Sequence, residues 1–322
     1  MSFLENIYDH SPIWLQNVMC SLEGYRKCRK RYGKVYWEHR RFLADFDEWP
    51  LARQLDYQSQ KLQELIRYAV ENSKFYRELY ADTEWQGIKS PDDLHVLPMI
   101  DKEMLRANLS DIITVKSGYT ANTGGTTGKS LVVVLREEDA MRRQATLDHF
   151  KHRVGFEHRK MKRATFNGKH IVPPGQKKPV YWRYNSSCKQ MIYSSFHINE
   201  NTLKYYVESL NSFKPDALDG FFTCICDVAS YVKRHGVKLE FQPVAVFPTS
   251  ETLTDEGRLL IEEVFHCPVY NQYASSEGAP LITECAKRHL HLELFSGVFE
   301  HPFDNDEVVV TSFDTFGTPL IR

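Results

Sequence analysis

The chain has 322 residues, which at roughly 100 to 200 residues per domain predicts about two structural units or one large α/β body with insertions. Hydrophobic residues at 42% and charged residues at 26%, with 16 Gly and 14 Pro, exclude collagen-like, low-complexity and disulfide-scaffold classes and leave a globular protein with a sizeable core. With 41 Lys and Arg against 42 Asp and Glu the net charge is −1, so no global field argues for a nucleic-acid partner, and any charged surface must be local.

The chain opens with an apolar pattern from Ile13 to Leu22, followed by Arg26, Lys27, Arg29, Lys30, Arg31 and Lys34. This reads as a basic amphipathic helix within an N-terminal helical segment, residues 1–57. Its two readings are a peripheral contact with an anionic membrane surface and the solvated face of a helix packed on its own protein. From Leu62 to Leu79 apolar residues recur at three and four, the spacing of a core helix. Pro91 and Pro98 then break the chain, and Asp101 stands as the N-cap of a connecting helix. Tyr119 to Ser130 reads as a loop feeding a strand at Leu131 to Val134, and helices are expected near 137–152, 201–213 and 224–235. Val244 to Phe247, a helix over 254–265 and Val269 to Tyr273 form a strand, helix, strand unit, the grammar of a parallel sheet. Val308 to Thr311 is a further strand. No apolar run reaches the 18 or so residues of a spanning helix. Seven cysteines without a paired CxxC, and no signal-type segment before them, lead to a cytoplasmic expectation, with the membrane surface as a candidate contact.

The densest chemistry is Thr123, Gly124, Gly125, Thr126, Thr127, Gly128, Lys129 and Ser130. Three glycines let backbone N–H groups approach an anion closely, and hydroxyls and an ammonium add donors, so the stretch reads as a phosphate cradle. A Walker A loop requires Gly where Thr123 stands and opens a helix, whereas this loop feeds a strand. About 150 residues later Tyr273, Ala274, Ser275, Ser276 and Glu277 follow the predicted strand ending at Tyr273.

Taken together, the Thr123–Gly128 loop and the Tyr273–Glu277 segment resemble the phosphate loop and the Tyr-Gly-x-Thr-Glu signature of the adenylate-forming enzymes, with Ala274 for Gly and Ser276 for Thr. Phe247 to Glu251 resembles an adenosine-side turn of that family, with Ser250 and Glu251 on the nucleotide, and Thr318 to Arg322 resembles its Pro-Leu-Ile-Arg-Tyr element. With the helix around Leu62 to Tyr80 and the stretch Leu97 to Lys102, the likeness extends to the phenylacetate-CoA ligase and coenzyme F390 synthetase branch, especially its capsular-polysaccharide-biosynthesis members. The resemblance implies the α/β N-terminal body of such an enzyme over residues 58–322, mixed or parallel sheets in two subdomains covered by helices. In that family a small C-terminal lid domain carrying a further lysine follows this body; the sequence stops at Arg322, either as a fragment of such a protein or as one without the lid.

On that resemblance ATP and Mg²⁺ are expected, with CoA as a further candidate. Tyr273 and Ser276 would sit at the nucleotide, and Lys129 and Glu277 would be the catalytic pair, Glu277 holding the metal. The expected reaction joins a small-molecule carboxylic acid to AMP, in surface-polysaccharide biosynthesis; the alternative is a nucleotide-binding but non-catalytic partner in such a pathway. Tyr184, Phe196, His197 and Phe221 are candidates for an acyl pocket. Cys285, His289 and His291 are a candidate zinc set by ligand type, against a buried Cys beside surface histidines. Oligomeric state is not legible.

Overall fold

The computed structural model describes residues 3–122, 131–275, 277–305 and 307–322. Its helices are α1 (Phe3–His10), α2 (Ile13–Arg31), α3 (Lys34–Asp47), α4 (Leu51–Asn72), α5 (Lys74–Leu79), α6 (Lys102–Ala107), α7 (Leu109–Ile112), α8 (Glu137–Arg153), α9 (Leu203–Phe213), α10 (Phe222–His235) and α11 (Asp255–Phe265). The strands are β1 (Tyr119–Asn122), β2 (Val132–Leu135), β3 (Arg163–Asn167), β4 (Trp182–Asn185), β5 (Gln190–Ser194), β6 (Ala217–Phe221), β7 (Ala245–Thr249), β8 (Gln272–Tyr273), β9 (Ile282–Glu284), β10 (Leu290–Leu292), β11 (Gly297–Glu300) and β12 (Val309–Ser312). The chain divides into two units, one of residues 1–30, 150–272 and 284–290, the other of 31–149, 273–283 and 291–322.

The first unit is built on a five-stranded sheet of order β4-β5-β3-β6-β7, with β4 antiparallel and the rest parallel. The strand, helix, strand unit expected from 244 onward is present as β7, α11 and a parallel bridge from Val246 to Val269. Helices α9, α10 and α11 bury Leu210, Ile225, Val228 and Ile261 against Phe166, Leu218 and Val246 of the strands, which explains their apolar stripes. Gly220 is required where β6 meets β3: at φ +124° a Cβ would lie 1.8 Å from the Phe166 carbonyl oxygen. Beneath the sheet Asp219 accepts from Lys151 at 2.8 Å, Arg163 at 3.1 Å and Thr165 at 2.5 Å. Burial alone would raise its carboxyl, yet the two cations outweigh that and hold it far below the usual carboxylate range.

The second unit packs α4 and α5 with Leu94, Leu97, Phe313, Phe316 and Ile321. The single helix read from the spacing between 62 and 79 is two helices, because Ser73 leaves the helical conformation and its hydroxyl accepts the Tyr76 N–H at 3.4 Å, capping α5. Asp101 caps α6 as expected, accepting from Met104 N–H at 2.7 Å. Strands β1 and β2 pair antiparallel on either side of residues 123–130, and β11 pairs antiparallel with β12. A second cluster joins Leu43, Phe46 and Phe295.

Candidate functional site

The segment after β8 is fixed by groups distant in sequence. The Ala279 N–H donates to Ser275 Oγ at 3.0 Å and the Gly278 N–H to the Ser275 carbonyl at 3.3 Å, which closes the turn. Gly278 has φ +105°, and a Cβ there would meet Thr315 Cγ2 at 2.6 Å, so the turn requires glycine. From α8 the Arg143 guanidinium donates to the carbonyls of Gly278 at 2.7 Å, Ala279 at 3.2 Å and Ser275 at 3.3 Å. Ser312 Oγ also donates to the Gly278 carbonyl.

Within the second unit this segment forms one wall of a cavity of about 500 Å³. Tyr273, Ser275 and Glu277 face it from the motif, Ile100, Asp101 and Lys102 from the start of α6, and Val308, Val309, Val310, Leu320 and Ile321 supply apolar surface. Leu131, the first described residue after the 123–130 stretch, also lines it. Lys102 Nζ lies 3.2 Å from Glu277 Oε1. Burial pushes the Glu277 carboxyl up, but its own backbone N–H, Lys102 and Ser275 donate to it and hold it below the ordinary carboxylate range, so it is ionised at neutral pH. Tyr273 is 47% exposed and meets Phe299 edge-on at 6.4 Å, leaving ring surface available for a flat partner. At the rim Arg322 donates from Nε to Glu300 at 3.0 Å and from Nη1 to the carbonyls of Leu97 and His95, while the Ile100 N–H donates to the Arg322 carbonyl at 2.7 Å.

Of the residues singled out in the sequence, Tyr273 and Glu277 are brought to one cavity. Thr123, Gly124, Gly125, Thr126, Thr127, Gly128, Lys129, Ser130 and Ser276 lie outside the described residues. Ser250 and Glu251 belong to the first unit. Ser250 adopts φ +68°, and the Glu251 carboxylate accepts from the Thr223 N–H at 2.7 Å and from Thr223 Oγ1 at 3.0 Å, capping the start of α10. Of the acyl-pocket candidates, Phe221, Phe196 and His197 sit at or beyond the carboxyl ends of β6 and β5, whereas Tyr184 pairs with Met191 near the other end of β5. His197 Nδ1 is 2.8 Å from Ser194 Oγ and its ring stacks on Tyr181. Burial lowers its pKa against backbone hydrogen bonds that raise it. Phe196 is 68% exposed.

The candidate zinc set does not form. His289 and His291 are two apart at β10 and exposed to solvent, and the Cys285 N–H donates to the His289 carbonyl at 2.9 Å as a turn contact. Among the described residues no group of three or more His, Cys, Asp or Glu side chains is placed to hold a metal. Lys102 and Arg143 escaped the sequence reading. Lys102 stood inside the Leu97 to Lys102 resemblance with no role attached, and Arg143 lies in a polar helix more than 130 residues from the carbonyls it holds, with no local signal.

No protein-family model matches the chain. Two crystal structures of 2-hydroxyisobutyryl-CoA ligase share its fold. The structure in the postadenylation state with 2-HIB-AMP has a TM-score of 0.66 at 15% identity, covering 85% of this chain and 62% of that one. The open conformation with 2-HIB-AMP and CoA has a TM-score of 0.65 at 15% identity, covering 85% and 64%. This mixed α/β fold is therefore that of those ligases, and the chain spans less than two thirds of their length. Sequence narrows it: the chain is 41% identical over 325 residues to Protein CapK of Staphylococcus aureus, covering 99% of this chain and 71% of that protein. The chain belongs to the CapK family.

Proposed function

We propose that the chain binds ATP in the second unit and activates a carboxylic acid to an acyl-adenylate. The observation that carries this reading is the ionised Glu277, paired with Lys102 on the wall of a cavity that Tyr273 also lines. A carboxylate oxygen of the acid would attack the α-phosphorus, the α–β anhydride bond would break, and pyrophosphate would leave. The chain's own part is positioning and charge compensation, which needs no nucleophilic side chain. Tyr273 would lie against the base, residues 123–129 would cradle the phosphates, and Lys129 would face the negative charge that develops during transfer.

Magnesium fits the donor set: it is ordinarily held by one or two carboxylates plus substrate phosphates and water, and Glu277 supplies one ionised carboxylate facing the cavity. When bound it would neutralise phosphate charge; Glu277 would hold it, and Lys102 would then be released from its present partner. The CapK name supports a place in capsule biosynthesis, and the CoA complex of the structural neighbour makes CoA a candidate acceptor.

The test is carboxylate-dependent exchange of labelled pyrophosphate into ATP with a panel of small acids, beside calorimetry with MgATP. Exchange that needs both an acid and Glu277 supports the reading. ATP binding without exchange across the whole panel would make the chain a nucleotide-binding partner instead, and absence of ATP binding would overturn both.

A further inference from the structure

Helix α2 is built the wrong way round for a helix whose only task is to cover its own domain. Its fully buried positions are Gln16, Gly24 and Cys28. Gln16 Oε1 accepts from Arg183 Nε at 2.6 Å, Gly24 abuts Asn185 so closely that a Cβ would lie 2.3 Å from Oδ1, and Cys28 Sγ is 3.3 Å from Cys188 Sγ. These polar and small contacts hold the helix to β4 and the turn after it. The adjoining face carries Trp14, Val18, Leu22 and Tyr25 at spacings of four, four and three, with Trp14 66% and Leu22 63% exposed. An amphipathic surface helix buries its apolar stripe; this one displays it.

The chemistry around the stripe selects an occupant. Val18, Ser21, Leu22 and Tyr25 line a groove of about 470 Å³ with Ser186 and Ser187. Arg26, Lys27, Arg29 and Lys30 follow on the same helix, and its one acid, Glu23, is engaged by Arg26 at 2.7 Å and Lys27 at 3.1 Å. The turn opposite brings three more cations: Arg159 Nε donates to the Ser187 carbonyl at 3.4 Å, and Lys189 Nζ to the Lys160 carbonyl at 2.8 Å. Glu157 is the acid beside them, 3.7 Å from Lys160 and 2.6 Å from His152. A second copy docked through this face would oppose cation to cation, whereas an anionic surface compensates them. Trp and Tyr rings beside aliphatic side chains, flanked by Lys and Arg, are the residue set that seats at a lipid headgroup boundary. No helix among the described residues is long and apolar enough to cross a membrane, so the contact would be peripheral.

We propose that α2, through Trp14, Val18, Leu22 and Tyr25 with Arg29 and Lys30, seats this chain on the surface of an anionic lipid bilayer. The assay is co-sedimentation with vesicles of phosphatidylcholine alone or with one quarter phosphatidylglycerol, at low and physiological salt. Binding should require the anionic lipid and weaken with salt. Arg29→Glu with Lys30→Glu should lower the partition coefficient about tenfold or more. Leu22→Asp should abolish binding at physiological salt, where the apolar contact carries it. All three positions are exposed, and circular dichroism melts check that the variants fold. On the unmodified chain, brominated anionic lipid should quench tryptophan fluorescence, and Trp14→Phe should remove most of that quenching. Equal sedimentation with both vesicles, quenching unchanged in Trp14→Phe, or loss of a concentration-dependent dimer in Leu22→Asp with no lipid binding by the parent would each overturn the proposal.

Discussion

Replacing Arg143 by Met would test whether the Tyr273–Glu277 segment is held from outside. The guanidinium supplies three hydrogen bonds, to Gly278, Ala279 and Ser275. Two of these acceptors keep another donor: Ser312 Oγ for Gly278 and the Gly278 N–H for Ser275. The loss is therefore nearer to one or two charge-assisted bonds than three, about 2 to 4 kcal/mol at roughly 1.5 to 3 kcal/mol each. Urea denaturation should show that fall in stability. Amide exchange at 277–279 should accelerate, and MgATP affinity should drop with it if Glu277 serves the nucleotide. Arg143→Lys keeps the charge but not the fork and should fall between the two. A Met variant within about 0.5 kcal/mol of the parent, with unchanged exchange at 277–279, would refute the clamp.

Glu277→Gln should remove most of the gain in ATP affinity that Mg²⁺ provides while leaving metal-free binding nearly intact, read by calorimetry with and without the metal. Lys102→Ala should cost under about 1 kcal/mol of stability, because Lys102 is exposed and its pair is screened, a difference visible in urea midpoints. Burial, with Arg142 nearby, lowers the His39 pKa to about 3. The unfolded chain takes up that proton near pH 6.5 and the folded one does not, so this contribution to stability is whole above pH 6.5. It falls by about 1.4 kcal/mol per unit as pH drops from there toward 3, and His39→Gln should flatten that slope in denaturation measured from pH 7 to 5. Gly220→Ala should destabilise the first unit by more than about 3 kcal/mol, since both its φ and the Phe166 carbonyl exclude a Cβ; a melting temperature near the parent's would contradict the close approach.

Regular elements were legible: α8, α10 and the β7–α11 unit appear where the sequence reading placed them. The break at Ser73 was not, because the apolar positions run through it in step and only the cap to Tyr76 reveals the interruption. α2 continues to Arg31, beyond its apolar pattern, since its buried contacts are made by Gln16, Gly24 and Cys28, which no hydrophobic period marks. At the site, Tyr273 and Glu277 were readable because they stand in a short segment that resembles a family signature. Glu251 also stands in a suggestive sequence, and its partner in the fold, the start of α10, had no signal there. His289 and His291 were candidates by ligand type alone; both are exposed, and among the described residues no third ligand is placed to complete a metal set with them.

The second unit closes its core with residues 313–321 packed against residues 62–97. During synthesis at about 5 to 20 residues per second, Leu97 would leave the ribosome roughly 10 to 45 s before Ile321. Through that interval α4 and α5 present an apolar face that their eventual cover, Phe313, Phe316 and Ile321, has not yet reached. The first unit needs nothing beyond residue 290. The cavity that Tyr273 and Glu277 share with Leu320 and Ile321 is thus completed only once residue 321 has emerged, and a nascent chain halted near residue 300 would carry a folded sheet, an open core and an unfinished cavity.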